Sequence, residues 1–227
     1  GAVAVAGGAL VLAALTQWRP RRDRFGPALL AAAVAAALCL VPRTGVLLEQ
    51  STLYRGIDRS RRTTLAVAED SHVVATVVAI DGDRSRALYT NAFLAASTEP
   101  QYGYMHLLGH LPMLLAARPE RVLVIAYGTG TTTGAVALHP SLAALDVVEL
   151  SPAVLRLAPY FRAVNRGVPY AHEGSFSAAV HHRDGREWVA RDGPAYDVIT
   201  LEPLPPNTQA AVHFSTREFY RQARERL

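Results

Sequence analysis

Apolar and polar positions follow three different patterns along this chain. Residues 1–18 and 25–42 carry no charged side chain, and each run is about the length of a bilayer crossing. From Leu65 to about Leu94 the pattern becomes strand-like. VVATVVAI (73–80) leads into the turn Asp81-Gly82-Asp83, and ALYTNAFLA (87–95) leads out of it, which predicts a β-hairpin. GYMHLLGHLPMLLAA (103–117) predicts a helix with a kink or break near Pro112. Beyond it, apolar runs alternate with helical patterns. Strands are predicted at 121–127, 145–150, 168–172 and 196–202. Helices are predicted at 131–138 and at 152–164, the latter entered through Ser151-Pro152. A helix or turn at 175–182 and a charged turn at 183–194 fill the rest. Strands alternating with helices imply a parallel sheet in an α/β domain.

Charge sharpens the first pattern. Arg19, Arg21, Arg22, Asp23 and Arg24 separate the two uncharged runs, and Trp18 sits at the edge of the first, where an interfacial aromatic belongs. Residues 1–42 therefore read as two transmembrane helices, followed by an Arg-rich connector at 43–63. A buried Ala-rich hairpin is the competing reading. A signal peptide fits poorly, because there are two runs and the positive charges follow the first. Residues 1–63 hold nine arginines against three acids, a net of +6, whereas residues 64–227 hold 14 against 16, a net of −2. The basic charge is local to the N-terminal segment, so no nucleic acid is expected as a partner. The 227 residues suffice for one good-sized domain plus an appendage. The single cysteine, Cys39, excludes an internal disulfide framework. The chain starts with Gly1 and stops inside the helical pattern STREFYRQARERL, so further sequence is expected at both ends.

The candidate chemistry begins at RVLVIAYGTGTTTG (121–134). A β-branched run feeds the turn Gly128-Thr129-Gly130, Gly134 follows, and Glu149 ends the next apolar run fifteen residues later. Glycines that let the backbone approach a ligand, a helix N-terminus, and an acid for ribose hydroxyls together describe a nucleoside site in a doubly wound domain. The last glycine comes one position late for the dinucleotide fingerprint, and no Gly-Lys-Ser/Thr phosphate loop exists. A donor with ribose and adenine but no phosphate suits the pattern. Glu202 ends the fourth predicted strand before Pro203-Leu204-Pro205-Pro206, and Glu173-Gly174 ends the third. Ligands sit at the carboxyl ends of such strands, so three carboxylates would give an acidic mouth suited to a sulfonium donor and an amine acceptor. His106 and His110 stand at i, i+4 without a further ligand at metal spacing, and no metal is expected. His181-His182 reads as an exposed turn.

As an ordered set these stretches resemble the spermidine/spermine synthase family, in particular its membrane-fused bacterial branch. The matching stretches are LYTNAFLAASTEPQYGYMHLLGHLPMLL, VLVIAYGTGTTTGA, VVELSPAVLRLAPYFRAVN, YDVITLEPLPPN and STREFY. They cover roughly residues 65–227. The resemblance implies a small N-terminal β-domain (64–102) before a methyltransferase-like Rossmann domain (103–227) whose parallel sheet is truncated at its C-terminus. It implies transfer of an aminopropyl group from decarboxylated S-adenosylmethionine to an amine or polyamine, with no permanently bound cofactor. It assigns Gly128, Thr129 and Gly130 to the donor loop, Glu149 to the ribose, Glu173 with Gly174 to the adenine side, Glu202 to the general base and Tyr104 to the active-site tyrosine.

Several positions depart from the family pattern. Thr129 replaces an Asp that grips the donor's amine, Ala95 replaces a Gln, Pro205 replaces a second acid, and His106 replaces a Glu. An S-adenosylmethionine-dependent methyltransferase of the same fold, and a non-catalytic nucleoside-binding domain on a membrane protein, therefore stay open. The expected setting is the bacterial inner membrane, multi-pass, with the catalytic domain facing the cytoplasm, where these donors are found. Homodimer formation is left open.

Overall fold

The computed structural model describes residues 58–202 and 209–227. The expected spans at 1–18 and 25–42, and the connector up to residue 57, lie outside the described residues. No helix among the described residues is long and apolar enough to cross a membrane.

The predicted hairpin is half of a larger element. Four antiparallel strands, β1 (Arg62–Glu69), β2 (Val74–Ile80), β3 (Ser85–Thr90) and β4 (Phe93–Ser97), pair in the order β1-β2-β3-β4. β1 begins inside the stretch read as connector. The expected turn is present, with Asp81, Gly82 and Asp83 all at positive φ and Arg61 holding Asp81 through two bonds of 2.9 and 2.6 Å. The single strand expected at 87–95 is two strands. Asn91 and Ala92 adopt φ of 49° and 64°, the backbone of a tight hairpin turn. The Asn91 side chain accepts from the Val74 amide at 2.9 Å.

A twelve-residue helix, α1 (Tyr104–Leu115), follows. It runs through Pro112 without the expected break. Proline lacks the amide that would have bonded the Leu108 carbonyl, and the Thr200 hydroxyl donates to that carbonyl instead, at 2.9 Å. The α/β part then runs β5 (Arg121–Ile125), α2 (Thr131–Val136), β6 (Ala144–Glu149) and α3 (Pro152–Arg156). A 3-10 turn at Ala158–Phe161 leads to α4 (Arg162–Asn165), β7 (Ser177–His182), α5 (Gly185–Ala190), β8 (Val198–Leu201), α6 (Gln209–Phe214) and α7 (Arg217–Glu225). The strands form a parallel sheet in the order β7-β6-β5-β8. The helix expected over 152–164 is interrupted, because Pro159 removes the amide that would bond the Leu155 carbonyl.

The expected strand at 168–172 and the helix or turn at 175–182 are exchanged. Residues 166–170 turn the chain, starting from Arg166 and Gly167 at positive φ, and the third strand is β7. Pro169 cannot donate to a ladder. β7 lies at an edge, half exposed, so its small polar sequence SAAVHH hides the strand pattern. His181 is accordingly a strand residue. Its Nε2 meets Asp146 at 2.6 Å and its ring stacks on Trp188.

Period-two alternation divides the parallel sheet between two cores. Val122, Val124, Leu145 and Val147 face one side with Leu155 and Phe161. Leu123, Ile125 and Val148 face the other, against Val189, Tyr196 and Phe219. The first core also contains Ala75, Val77 and Leu88 of the small sheet. Helices meet closely around α2. A β-carbon at Gly109 would lie 2.7 Å from the Thr132 carbonyl, and one at Gly134 would run into the Val164 carbonyl. Backbone cannot move aside as a side chain can. Gly134→Ala is therefore expected to cost about 3 kcal/mol and lower Tm by roughly 6–12 °C. An unchanged Tm in thermal denaturation would refute this close packing.

Candidate active site

Strand register brings the acids together. Ile125 pairs with Val148 on one side and with Leu201 on the other, so Glu149 and Glu202 occupy the next level, at the carboxyl ends of their strands. Glu149 in turn pairs with His182 of β7, which places Asp184 on the same rim. A cleft of about 460 Å³ opens there, with Gly128, Glu149, Asp184 and Glu202 on one wall and Leu88 and Phe93 of the small sheet on the other.

The glycine turn is built for close approach. Ala126 (φ 64°), Gly128 (56°) and Gly130 (74°) all lie in the left-handed region, a costly conformation for alanine that clusters at functional sites. A β-carbon at Gly128 would lie 3.0 Å from Glu202 Oε1, and one at Gly130 would lie 2.6 Å from the Tyr127 hydroxyl oxygen. That tyrosine is fully buried and donates to the Val168 carbonyl at 2.6 Å. Burial pushes its pKa up. Of Gly128, Thr129 and Gly130, only Gly128 lines the cleft, beside Ala126. Thr129 is fully buried, with its hydroxyl 2.8 Å from that of Thr131, and Gly130 serves the packing of Tyr127.

Glu149 is 8% exposed and anchored by backbone. Its Oε2 accepts from the Tyr127 amide at 2.7 Å and its Oε1 from the Ser151 amide at 2.8 Å. Burial raises its pKa, and these amides pull against that rise. Glu202 is different. It is 5% exposed, and among the described residues neither carboxylate oxygen has a hydrogen-bond partner. The adjacent Thr132 hydroxyl donates to the Met105 carbonyl at 3.0 Å. Burial first, and the charge of Glu149 second, push the Glu202 pKa up to about 8.

Tyr104 opens α1 and is 42% exposed. Burial raises its pKa, followed by the charge of Glu202, which places it within electrostatic reach of that acid but outside the cleft wall. His110 does not face the site. Its Nδ1 lies 3.0 Å from His139 Nε2. Ala95 lines the cleft, while Pro205 lies outside the described residues.

Glu173 and Gly174 are exposed and lie at the wrong end of the sheet. They precede Ser177, which pairs with Ala144, the first residue of β6. Glu173 lines a separate cavity of about 280 Å³ with Arg162 and Arg166. The acid on the rim after β7 is Asp184, which falls in the charged turn predicted at 183–194. It caps α5, accepting from the Arg186 and Glu187 amides at 2.7 and 3.3 Å. The signal for it is Asp184-Gly-Arg-Glu187, an acid followed three residues later by Glu, as at many helix starts.

A parallel sheet with a glycine turn after its first strand and an acid after its second defines a methyltransferase-like α/β fold class. Residues 101–227 match the model of the spermine/spermidine synthase domain, and the chain belongs to that family. The polyamine aminopropyltransferase of Oceanobacillus iheyensis is 27% identical over 162 residues, 70% of this chain and 30% of that protein. The polyamine aminopropyltransferase of Desulforudis audaxviator is 29% identical over 144 residues, 63% of this chain and 50% of that protein. The fold is shared with a spermidine synthase solved in complex with the transition-state analogue AdoDATO, at 22% identity and a TM-score of 0.63 over 72% of this chain and 54% of that one. The spermidine synthase of Thermotoga maritima gives 0.61 at the same identity, over 72% and 53%. The chain thus spans between about a third and a half of the length of these relatives.

Proposed function

We propose that this chain carries the donor site and the general base of an aminopropyltransferase that uses decarboxylated S-adenosylmethionine and an amine or polyamine acceptor. The observation that carries the reading is Glu202, a buried carboxyl without a partner among the described residues, facing the same cleft as Glu149. In this reading Glu149 accepts the ribose hydroxyls, and Gly128 lets the donor pass close to the backbone. Asp184 takes the adenine side, in place of Glu173, and Tyr104 borders the acceptor path. The acceptor enters as an ammonium. It passes one proton to Glu202, and its nitrogen attacks the donor carbon next to the sulfonium. The carbon–sulfur bond breaks, and its electron pair stays on sulfur as methylthioadenosine leaves. A carboxyl whose pKa is near 8 takes that proton more readily than an ordinary one.

Methyl transfer from S-adenosylmethionine is the second reading. Thr129 favours it, because its buried hydroxyl offers no carboxylate to the donor's terminal amine. Incubation with each donor and a panel of diamines and polyamines, read by mass spectrometry, separates the two. Methylthioadenosine plus an aminopropylated amine is expected. A methylated product would overturn aminopropyl transfer, and binding without either product would favour a non-catalytic nucleoside-binding domain.

A further inference from the structure

The nucleoside acid Glu149 is held by a residue of the other sheet. Asp70 sits in the turn between β1 and β2. Its Oδ2 accepts from the Ser151 hydroxyl at 2.7 Å and from the Ala153 amide at 2.8 Å. Its Oδ1 accepts from the amides of His72 and Val73, at 2.7 and 3.0 Å. Ser151 is 3% exposed and fully engaged. Its hydroxyl also accepts from the Val154 amide at 3.2 Å, and its own amide donates to Glu149 Oε1 at 2.8 Å. Glu149 Oε2 then reaches the Tyr127 amide at the start of the glycine turn. One uninterrupted relay therefore runs from the small sheet through Ser151 and Glu149 to the glycine turn. The same turn supplies His72 and Val73 to the cleft wall.

We propose that Asp70 is a positioning residue for nucleoside binding: it locks Ser151, and through Ser151 the carboxylate of Glu149, in the orientation that receives the ribose. This rests on the nucleoside reading given above. Four donors converge on one carboxylate, and that fixes its rotamer. Burial opposes its charge, but the Ser151 hydroxyl and the three backbone amides outweigh burial and hold its pKa well below the usual carboxylate range. Asp70 therefore stays ionised at every working pH. Asparagine has the same shape but cannot do the same work. One of its two ends would present N–H to N–H, either at Ser151 and Ala153 or at His72 and Val73.

A mere tether between the sheets would behave differently, and the protein contains one for comparison. Arg156 donates to the Glu69 carbonyl at 2.6 Å, one residue from Asp70, yet it does not touch Ser151 or Glu149. The test is calorimetric titration of the full chain with methylthioadenosine, well below Tm. Asp70→Asn is expected to weaken binding about tenfold, the lower end of what losing the group that orients a ligand-holding side chain costs at metal sites. Ser151→Ala is expected to weaken it similarly, and the double variant no further. Arg156→Ala is expected to lower Tm and leave affinity unchanged. Hydrogen exchange at the Ser151 and Tyr127 amides of the unliganded protein should accelerate in Asp70→Asn but not in Arg156→Ala. Wild-type affinity in Asp70→Asn, with a Tm loss like that of Arg156→Ala, would overturn the proposal. If the wild type fails to bind methylthioadenosine, the nucleoside reading falls. The exchange rates at Ser151 and Tyr127 then still decide whether Asp70 holds Glu149. If Asp70→Asn does not fold, Ser151→Ala carries both measurements.

Discussion

Glu202→Gln is expected to reduce turnover by roughly 10²–10⁴-fold, the usual contribution of a positioned general base, while methylthioadenosine binds within about threefold of the wild type. The variant keeps the shape of the side chain beside Gly128 and removes only the proton acceptor. The pH dependence follows from the raised pKa. In the free protein the group is ionised only above about pH 8, so kcat/KM should rise with pH through that region. A bound sulfonium favours the ionised form, so the inflection in kcat should fall at lower pH. Stability runs the other way. A carboxyl with a folded pKa above its unfolded value contributes stability that is fully present below the unfolded pKa, near 4.3. That contribution is lost as pH rises through about 8. The unliganded wild type should therefore lose stability between pH 5 and 8, and Glu202→Gln should flatten this slope. Full turnover in the variant, measured by methylthioadenosine release, would remove Glu202 from the chemistry.

Glu149→Ala is expected to weaken methylthioadenosine binding by at least about 100-fold and to destabilise the fold by about 2–3 kcal/mol. Both effects share a cause. The substitution removes the acceptor proposed for the ribose, and it strands the amides of Tyr127 and Ser151, each of which now ends on a Glu149 oxygen. A buried donor left without a partner costs about 1–3 kcal/mol, and loss of the Tyr127 anchor would loosen the glycine turn itself. Calorimetry and denaturant unfolding measure the two effects separately. Unchanged affinity in a folded variant would place the ribose elsewhere.

The parts of the site legible in the sequence are those where an acid ends a long apolar run. Glu149 follows LDVV of β6, a central strand buried on both faces that reads as an apolar run, and Glu202 closes YDVITLE, whose strand β8 stays apolar although it ends the described sheet. Asp184 was hidden for the complementary reason. Its strand β7 is an edge strand, and SAAVHH shows neither a run nor a clean alternation. VPYAH nearby has the more strand-like pattern, which points to Glu173 for the rim in its place. The small sheet was half visible. Asp81-Gly82-Asp83 announced one turn, but Asn91-Ala92 carries no glycine to mark the second. Pro112 predicted a break that a hydroxyl from a distant strand compensates. Asp70 shows locally only that it caps its own turn, through the His72 and Val73 amides; its link to Ser151 and Ala153 leaves no local sign, since those partners lie more than eighty residues away.

The core shared by the two sheets has a consequence for inheritance. The family signature spans residues 101–227, yet Ala75, Val77 and Leu88 fill the same core as Val122, Val147 and Leu155. A recombination that exchanged everything before Tyr104 would replace Ala75, Val77 and Leu88 in that core and cut the link from Asp70 to Ser151. The stretch that carries the family's signature is thus shorter than the stretch that must be passed on intact, and substitutions in β1 to β3 are constrained by partners in the α/β part.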